Sequence, residues 1–374
     1  MKHTVRIIIA TTVMGLSAKA LAVMPLGEGT ELLLTASGSV FFDDNIYLNP
    51  SKEKSDTIYS LTPGLDLVFG KGSATQGNVY YSEEFRRFAS HSAQNVNLAN
   101  VGTSVAYSNG VSKADFNASY KQVAQNDNIA KASGDIVRRN LTALGASGEV
   151  AATGKTKIGG GLAYAKTDYL PSTYTDNETI TLPVDVYYEA SPKLDWSLGY
   201  QYRDTKLSGT AGSSSKDSFF SLGARGEFDP KLTGQIRLGY TQRSFDKAGY
   251  KNASLLGANG KLTYAYSEKT SLVFNISNDF GNSGFGDSTK NFNVGLSANS
   301  RITEQWFVNA EISSTSLKYA TRTDTYVQEQ IGITYTYNQI VSFGGSLTHR
   351  NNSSDLASAK FANTVFNFGV NVRY

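Results

Sequence analysis

The chain has 374 residues, with 35 Lys plus Arg against 32 Asp plus Glu, no Cys, 7 Pro and 35 Gly. Apolar residues make up 40%, and 22 Tyr with 19 Phe supply much of that share; too little Leu, Ile and Val remains for several packed cores, yet the aromatics are too many for a disordered chain. A mean hydropathy of −0.29 and the lack of an 18-residue apolar run beyond the N-terminus exclude a helical membrane protein, whereas a closed barrel with one wet face and one lipid face tolerates this composition.

At the N-terminus, Lys2, His3 and Arg6 precede the apolar run Ile7-Ile8-Ile9-Ala10, which Val13, Met14 and Leu16 continue. Ala20-Leu21-Ala22 fits a small-residue cleavage site, with Ala18-Lys19-Ala20 as the alternative. The three-part pattern predicts a secretory signal peptide over 1–22, with the barrel over 23–374; the competing reading is a buried N-terminal strand. Lys2, Arg6 and Lys19 are the charged residues of that segment, so the rest of the chain is balanced at 32 basic against 32 acidic residues. Nucleic-acid binding therefore has no electrostatic support. Without Cys there is no disulfide scaffold, thiolate metal site or lipidated N-terminal Cys.

Strands are predicted next at 31–42, 57–69 and 75–87, although Glu83, Glu84, Arg86 and Arg87 interrupt the alternation of the third. Further along, Ile180, Leu182, Val184, Val186 and Tyr188 alternate with Thr181, Pro183, Asp185, Tyr187 and Glu189. Leu194, Trp196, Leu198, Tyr200 and Tyr202 alternate with Asp195, Ser197, Gly199, Gln201 and Arg203, and Ile236, Leu238 and Tyr240 with Gln235, Arg237, Gly239 and Thr241. Phe292, Val294, Leu296 and Ala298 repeat the pattern. Successive side chains of a strand point to opposite faces, so each segment has an apolar and a polar side. A soluble sandwich is the competing reading, but Tyr and Trp at the ends of the apolar faces suit the aromatic girdles of a membrane barrel.

The connections fall into two kinds. Short ones read Gly70-Lys71-Gly72-Ser73, Asn109-Gly110, Thr153-Gly154-Lys155, Ser191-Pro192-Lys193, Asp229-Pro230-Lys231, Ser267-Glu268-Lys269, Thr303-Glu304-Gln305 and Tyr337-Asn338-Gln339. Longer polar ones lie near 44–56, 89–95, 125–137, 169–178, 207–216, 245–252, 281–288, 319–324 and 352–358. Short periplasmic turns and longer outward loops predict an antiparallel β-barrel of about 18 strands with both termini periplasmic.

The chain ends with Phe366, Phe368, Val370, Val372 and Tyr374 at every second position. A terminal aromatic on such a strand resembles the targeting strand of outer-membrane barrels, and the resemblance implies recognition by the barrel-assembly machinery. An ordinary closing strand is the plainer reading. Near the other end, Phe41-Phe42-Asp43-Asp44-Asn45-Ile46-Tyr47, Ser55-Asp56-Thr57 and Leu61-Thr62-Pro63-Gly64-Leu65 resemble the second "putative beta-barrel porin" family. That resemblance implies a porin-like channel, or a barrel associated with exopolysaccharide export and its periplasmic secretion proteins, and it supplies no catalytic residues. Asp43-Asp44-Asn45 reads either as a cation site at the mouth or as a strand-to-loop cap, since Asx side chains bond locally at chain reversals.

Searches for chemistry return little. The segment 148–156 ends in Gly154-Lys155-Thr156, but its first Gly is one position off and no helix follows, so it reads as a turn and not a phosphate loop. His349 could pair with Asp355 or stand solvated at the rim; no serine elbow accompanies it, and neither a metal site nor a cofactor is expected.

On the phase set by the apolar residues, Arg203, Arg225, Arg237, Arg243, Arg301 and Arg373 point inward, as do Asp66, Glu149, Asp185, Glu189, Asp195, Glu227 and Glu311. Of these, Arg203, Arg225, Arg237, Arg243, Arg301, Asp185 and Glu227 are the candidate pore-lining residues. They serve as cross-strand pairs, as a field across the pore, or as both. Near-balance of sign predicts weak ionic selectivity. Gly199, Gly223, Gly239, Gly295 and Gly369 share that inward phase, either to let the wall bend or to keep the lumen open. Barrels of about 16–18 strands hold an aqueous channel unless something fills it. The expectation is thus a passive channel for small hydrophilic solutes or saccharides, in the outer-membrane lipid of a Gram-negative bacterium, with no enzymatic activity. No loop exceeds about 13 residues, so nothing is expected to plug the lumen. A structural or surface-binding barrel with a blocked lumen is the remaining alternative.

Overall fold

The computed structural model describes residues 24–27, 29–131, 134–208 and 212–374. The predicted signal peptide lies outside the described residues. In chain order the strands are β1 (Met24–Gly27), β2 (Thr30–Asp43), β3 (Asp56–Phe69), β4 (Thr75–Phe88), β5 (Val96–Ser108), β6 (Ser112–Ala124) and β7 (Arg138–Ala151). There follow β8 (Thr156–Tyr169), β9 (Asn177–Ser191), β10 (Leu194–Leu207), β11 (Ser215–Asp229), β12 (Leu232–Phe245) and β13 (Ala253–Ala265). The last six are β14 (Thr270–Asn282), β15 (Ser288–Arg301), β16 (Trp306–Lys318), β17 (Thr323–Thr336), β18 (Val341–Ser354) and β19 (Phe361–Arg373).

Strands β2 to β19 each pair antiparallel with their chain neighbours, and β19 returns to β2 from Val365↔Asp43 down to Arg373↔Thr35. The wall is therefore a closed barrel of 18 antiparallel strands. Closure removes the unpaired edges that an open sheet of this size would expose. The short β1 pairs Met24↔Leu32 and Pro25↔Glu31, on the side of β2 that takes β19 further up. It extends the seam where Tyr374 and Leu34 exchange two backbone bonds of 2.8 Å.

Each wall strand has 13–15 residues, about 45 Å of extended chain, enough for one tilted membrane crossing. One rim carries connections of two to five residues and the other carries connections of four to thirteen. An even strand number places both ends of the wall at the short-turn rim.

The register puts residues of like character side by side. Leu198 faces Leu222, and Leu222 faces Leu238, across three adjacent strands. Their side is the outer one: Leu222 is 68% exposed and Leu256, next along, 69%. Such a belt in water would oppose folding, and among the described residues no second sheet covers it, so the soluble sandwich is excluded. Tyr188, Trp196, Tyr264, Trp306 and Tyr335 stand on this face close to the turns, with Trp306 and Tyr335 in contact at 4.7 Å between ring centroids. The break in alternation in β4 also resolves. Glu84 and Arg86 face inward and pair at 2.9 Å, while Arg87 faces outward at the loop rim.

Two places in the wall depart from regular pairing, both at the loop end. The β5–β6 ladder stops at Asn100↔Lys121, and the β13–β14 ladder at Ala258↔Asn278. Above the second parting Phe280 of β14 is buried, with the Arg243 guanidinium 4.7 Å from its ring centroid.

Candidate pore and its mouth

The charged side chains of β7–β14 form two tiers on the inner face. In the upper tier, near the loops, Asp217 of β11 is gripped by Arg243 of β12 at 2.7 and 2.8 Å and by Arg203 of β10 at 2.8 Å. Arg203 also reaches Asp279 of β14 with two bonds of 2.7 and 3.0 Å. Arg243, 1% exposed, spends its other donors on Gly281 O at 3.1 Å and Ser288 Oγ at 2.8 Å. A guanidinium presents five donors in a fixed fork, so this burial is tolerable because its acceptors are in place.

In the lower tier Arg225 of β11 reaches Glu149, four strands away on β7, with bonds of 2.7 and 3.0 Å. It also bonds Asp195 of β10 at 3.0 Å and lies 3.3 Å from the centroid of the Tyr187 ring. Lys157 of β8 adds a second cation on Asp195 at 3.1 Å. Arg237 of β12 crosses to Asp185 of β9 at 3.1 Å and to the Tyr187 hydroxyl at 3.0 Å.

Glycines leave room beside this crossing. A Cβ at Gly199 would meet the Asp185 carboxylate, so that position seats the ladder against the wall. At Gly223 a Cβ would strike Ile236 O as well as Cγ of Arg237 at 2.9 Å, and at Gly239 it would strike the Phe220 backbone, so both mark a close approach of neighbouring strands.

Each tier is balanced, with Arg203 and Arg243 against Asp217 and Asp279 above, and Arg225, Arg237 and Lys157 against Glu149, Asp195 and Asp185 below. Two candidates stand apart. Glu227 pairs with Lys193 at a turn, at 2.8 Å, and Arg301 is exposed at the turn end of β15. Tyr187, Lys157, Asp217 and Asp279 were not among the residues read as inward-facing charges or their partners; all four lie on the inward phase, which was the available signal.

Opposite the ladder, the turn half of the lumen holds a cavity of about 980 Å³ whose polar lining includes Asp66, Asn78, Asp115, Asn117, Ser147 and Arg373. The loop half is different. The segment 125–137 reaches in from β6–β7 and meets loops from around the mouth. Asn126 Nδ2 donates to Tyr47 O at 3.2 Å, and Lys131 Nζ donates to Leu48 O at 3.0 Å and Ser358 O at 2.7 Å. Gly284 N donates to Ile129 O at 2.9 Å and Thr175 N to Gly284 O at 2.8 Å, while Tyr174 stacks on Phe285 at 5.0 Å. Burial away from water holds the Lys131 ammonium below its usual pKa.

Apolar packing backs these bonds. Ile46, Ile58, Phe88, Val96, Leu98 and Ile136 form a small core inside the rim. Leu48, 3% exposed, adopts φ 53°, a left-handed conformation that costs a non-glycine residue about 1–2 kcal/mol. The unplugged lumen expected from loop length is thus corrected. The loops are short, but those of Tyr47, Asn126, Thr175, Gly284 and Ser358 bond one another at the mouth.

The remaining sequence features are local. Asp43 Oδ1 accepts the Asn45 N–H at 2.8 Å, and Asp44 Oδ1 the Thr364 N–H at 2.7 Å, so Asp43-Asp44-Asn45 caps a strand. His349 meets Thr364 Oγ1 at 3.1 Å on the outer face, while Asp355 accepts from Thr323 N at 3.0 Å. His91, which the sequence left without a role, pairs with Asp56 at 2.7 Å. The segment 148–156 is a turn in which Thr153 Oγ1 accepts the Thr156 N–H at 3.0 Å. Tyr374 and its alternating partners face outward along the closing seam, where Phe366 meets Phe42 at 6.1 Å.

A closed wall of 18 strands with an apolar exterior and a charged interior defines a barrel of the outer-membrane porin type. The model of the family described as "Putative beta-barrel porin 2" matches residues 214–374, from β11 to the C-terminus. The family is the one the sequence resembles, although the match lies outside the 41–65 stretch on which that resemblance rests. Among solved structures the chain is similar to OccK2 (OpdF) of Pseudomonas aeruginosa, with TM-score 0.52 and 9% identity over 92% of this chain and 98% of that one. It is also similar to OpdK of the same organism, solved with vanillate, with TM-score 0.50 and 10% identity over 93% and 99%. For OccAB2 of Acinetobacter baumannii the values are 0.50 and 10%, over 93% and 98%. At these identities the likeness is one of fold. No curated protein matches the sequence.

Proposed function

We propose that the protein is a passive channel of the Gram-negative outer membrane for small hydrophilic solutes, saccharides included, with its turn end in the periplasm. The observation that carries this reading is the closed wall around a cavity of about 980 Å³ whose lining carries Asp66, Asn78, Asp115, Asn117 and Arg373 among apolar residues. Related folds hold small carboxylates, vanillate in OpdK and glucuronate in OccK2. Here the inward arginines of both tiers already have carboxylate partners, which favours neutral solutes over anions. A channel asks for no catalytic residue, and His91 and His349 are both engaged locally. Single-channel recording of the folded protein in a planar bilayer tests the reading: discrete, weakly selective steps support it.

A silent bilayer would favour the second reading, a structural or surface-binding barrel, which the joined loops over the mouth support. We also infer that Phe366, Phe368, Val370, Val372 and Tyr374 are read by the barrel-assembly machinery during insertion. Deleting Tyr374 should then lower the folded outer-membrane fraction and leave export to the periplasm intact. An unchanged yield would reduce the strand to a closing seam.

A further inference from the structure

Two double arginines flank the β5–β6 parting at the loop rim, and within each the two residues have opposite fates. The inward members have acids: Arg86 holds Glu84 at 2.9 Å and Arg139 holds Asp127 at 2.5 Å. The outward members have none. Arg87 donates only to Val96 O at 2.8 Å, Arg86 O at 2.9 Å and Asn97 Oδ1 at 2.9 Å. The Arg138 guanidinium has no hydrogen-bond or ion-pair partner among the described residues.

Both line one cleft of about 580 Å³, together with Asn97, Gln122, Asn140 and Leu170, and no carboxylate lines it. The cleft exists because the strands part. Above Asn100↔Lys121 the ladder is gone, and the Ala99 N–H is satisfied by Gln122 Oε1 at 3.1 Å. The nearest outward acids are committed elsewhere. Asp168, opposite Asn140, is held by Lys166 at 2.7 Å, and Glu83 accepts the Tyr81 hydroxyl at 2.7 Å.

We propose that this cleft binds the phosphate of a phosphorylated glycolipid in the outer leaflet, with Arg87 and Arg138 as its forked donors. The proposal rests on the outer-membrane reading above. A guanidinium suits phosphate because its parallel N–H pairs match two phosphate oxygens. Depth fits as well: Arg87 and Arg138 stand within two residues of their strand ends, at headgroup level, where an outward cation avoids the hydrocarbon. A lipid fits better than a free ion because exposed Leu170 lines the cleft and Phe85 continues the outer face below Arg87.

The test uses the folded full barrel in a neutral detergent and reads bound lipid by native mass spectrometry. The probes are a bis-phosphorylated glucosamine-disaccharide lipid, the same lipid after phosphatase treatment, and sodium phosphate. Wild type should hold the phosphorylated lipid at least about tenfold more tightly than R87Q/R138Q, the scale of losing two charge-assisted contacts. Lys193→Gln at the opposite rim should leave binding unchanged. Heat-modifiable gel mobility verifies that each variant is folded, and the single variants R87Q and R138Q give the same reading if the double variant does not fold. Equal affinity of wild type and variants, or equal affinity for the two lipids, would overturn the proposal. Displacement of the lipid by an equal concentration of sodium phosphate would overturn the lipid as the source. A barrel that conducts but ignores the lipid loses this site alone, and one that binds the lipid without conducting loses only the channel.

Discussion

The two rims of this barrel are built on different principles. At the turn end the side-chain bonds that close several connections are local to them. Asn338 Oδ1 accepts the N–H groups of Ile340 and Val341, Ser267 Oγ that of Thr270, and Thr303 Oγ1 that of Trp306. At the loop end the bonds run between distant parts of the chain, such as Lys131 to Ser358 and Gly284 to Ile129. The turn rim is thus a ring of locally closed turns that bond their immediate neighbours, as Lys193 does Glu227, around an open cavity, whereas loops far apart in sequence bond one another at the other rim. On the channel reading proposed above, a solute entering from the turn side would meet space first and its resistance where the loops bond one another.

Changes matched across the two ends can break this comparison. The largest effect is expected at the upper tier. Arg243→Leu leaves Asp217 with one cation in a buried site and should cost ~3–5 kcal/mol in urea unfolding from micelles. Lys193→Ala removes the exposed turn-end pair with Glu227 and should cost no more than about 1 kcal/mol. Similar losses from both would mean that the ends are equally tied.

Between the rims the wall itself is at issue. Leu238→Arg places a cation on the lipid face near mid-strand and should cost ~2–4 kcal/mol, visible as loss of the heat-modifiable folded band. An unchanged band would mean that this face does not meet lipid.

The smallest effect on stability, and the sharpest on transport, is expected at Lys131. Lys131→Ala removes the bonds to Leu48 O and Ser358 O and frees the 125–137 segment from two of its neighbours. Single-channel conductance should rise while folded yield holds. A conductance equal to wild type would place the resistance elsewhere in the lumen.

The same contrast explains what could be read from the sequence. The strand number, the alternating faces and all eight short turns were legible because each depends on residues near in sequence: a period of two, then Gly, Asn, Pro or Thr at a reversal. Inward placement of Arg203, Arg225 and Arg237 followed from the same period. Their partners did not, since Glu149 and Arg225 meet through the stagger of five strands. Nor did the mouth. The polar segment 125–137 looks like a plain outward loop until Ile136 is buried beside Ile46 and Val96. Resemblance in the 41–65 stretch pointed to the family whose model matches, although that match begins at residue 214.

Exclusion of neutral polymers of graded size, added to one side of the bilayer at a time, tests the central claim most directly. With the resistance at the joined loops and a cavity of about 980 Å³ behind the turns, polymers of intermediate size should lower conductance when added on the turn side and leave it unchanged on the loop side. The same size cut-off from both sides would contradict an interlocked mouth above an open vestibule.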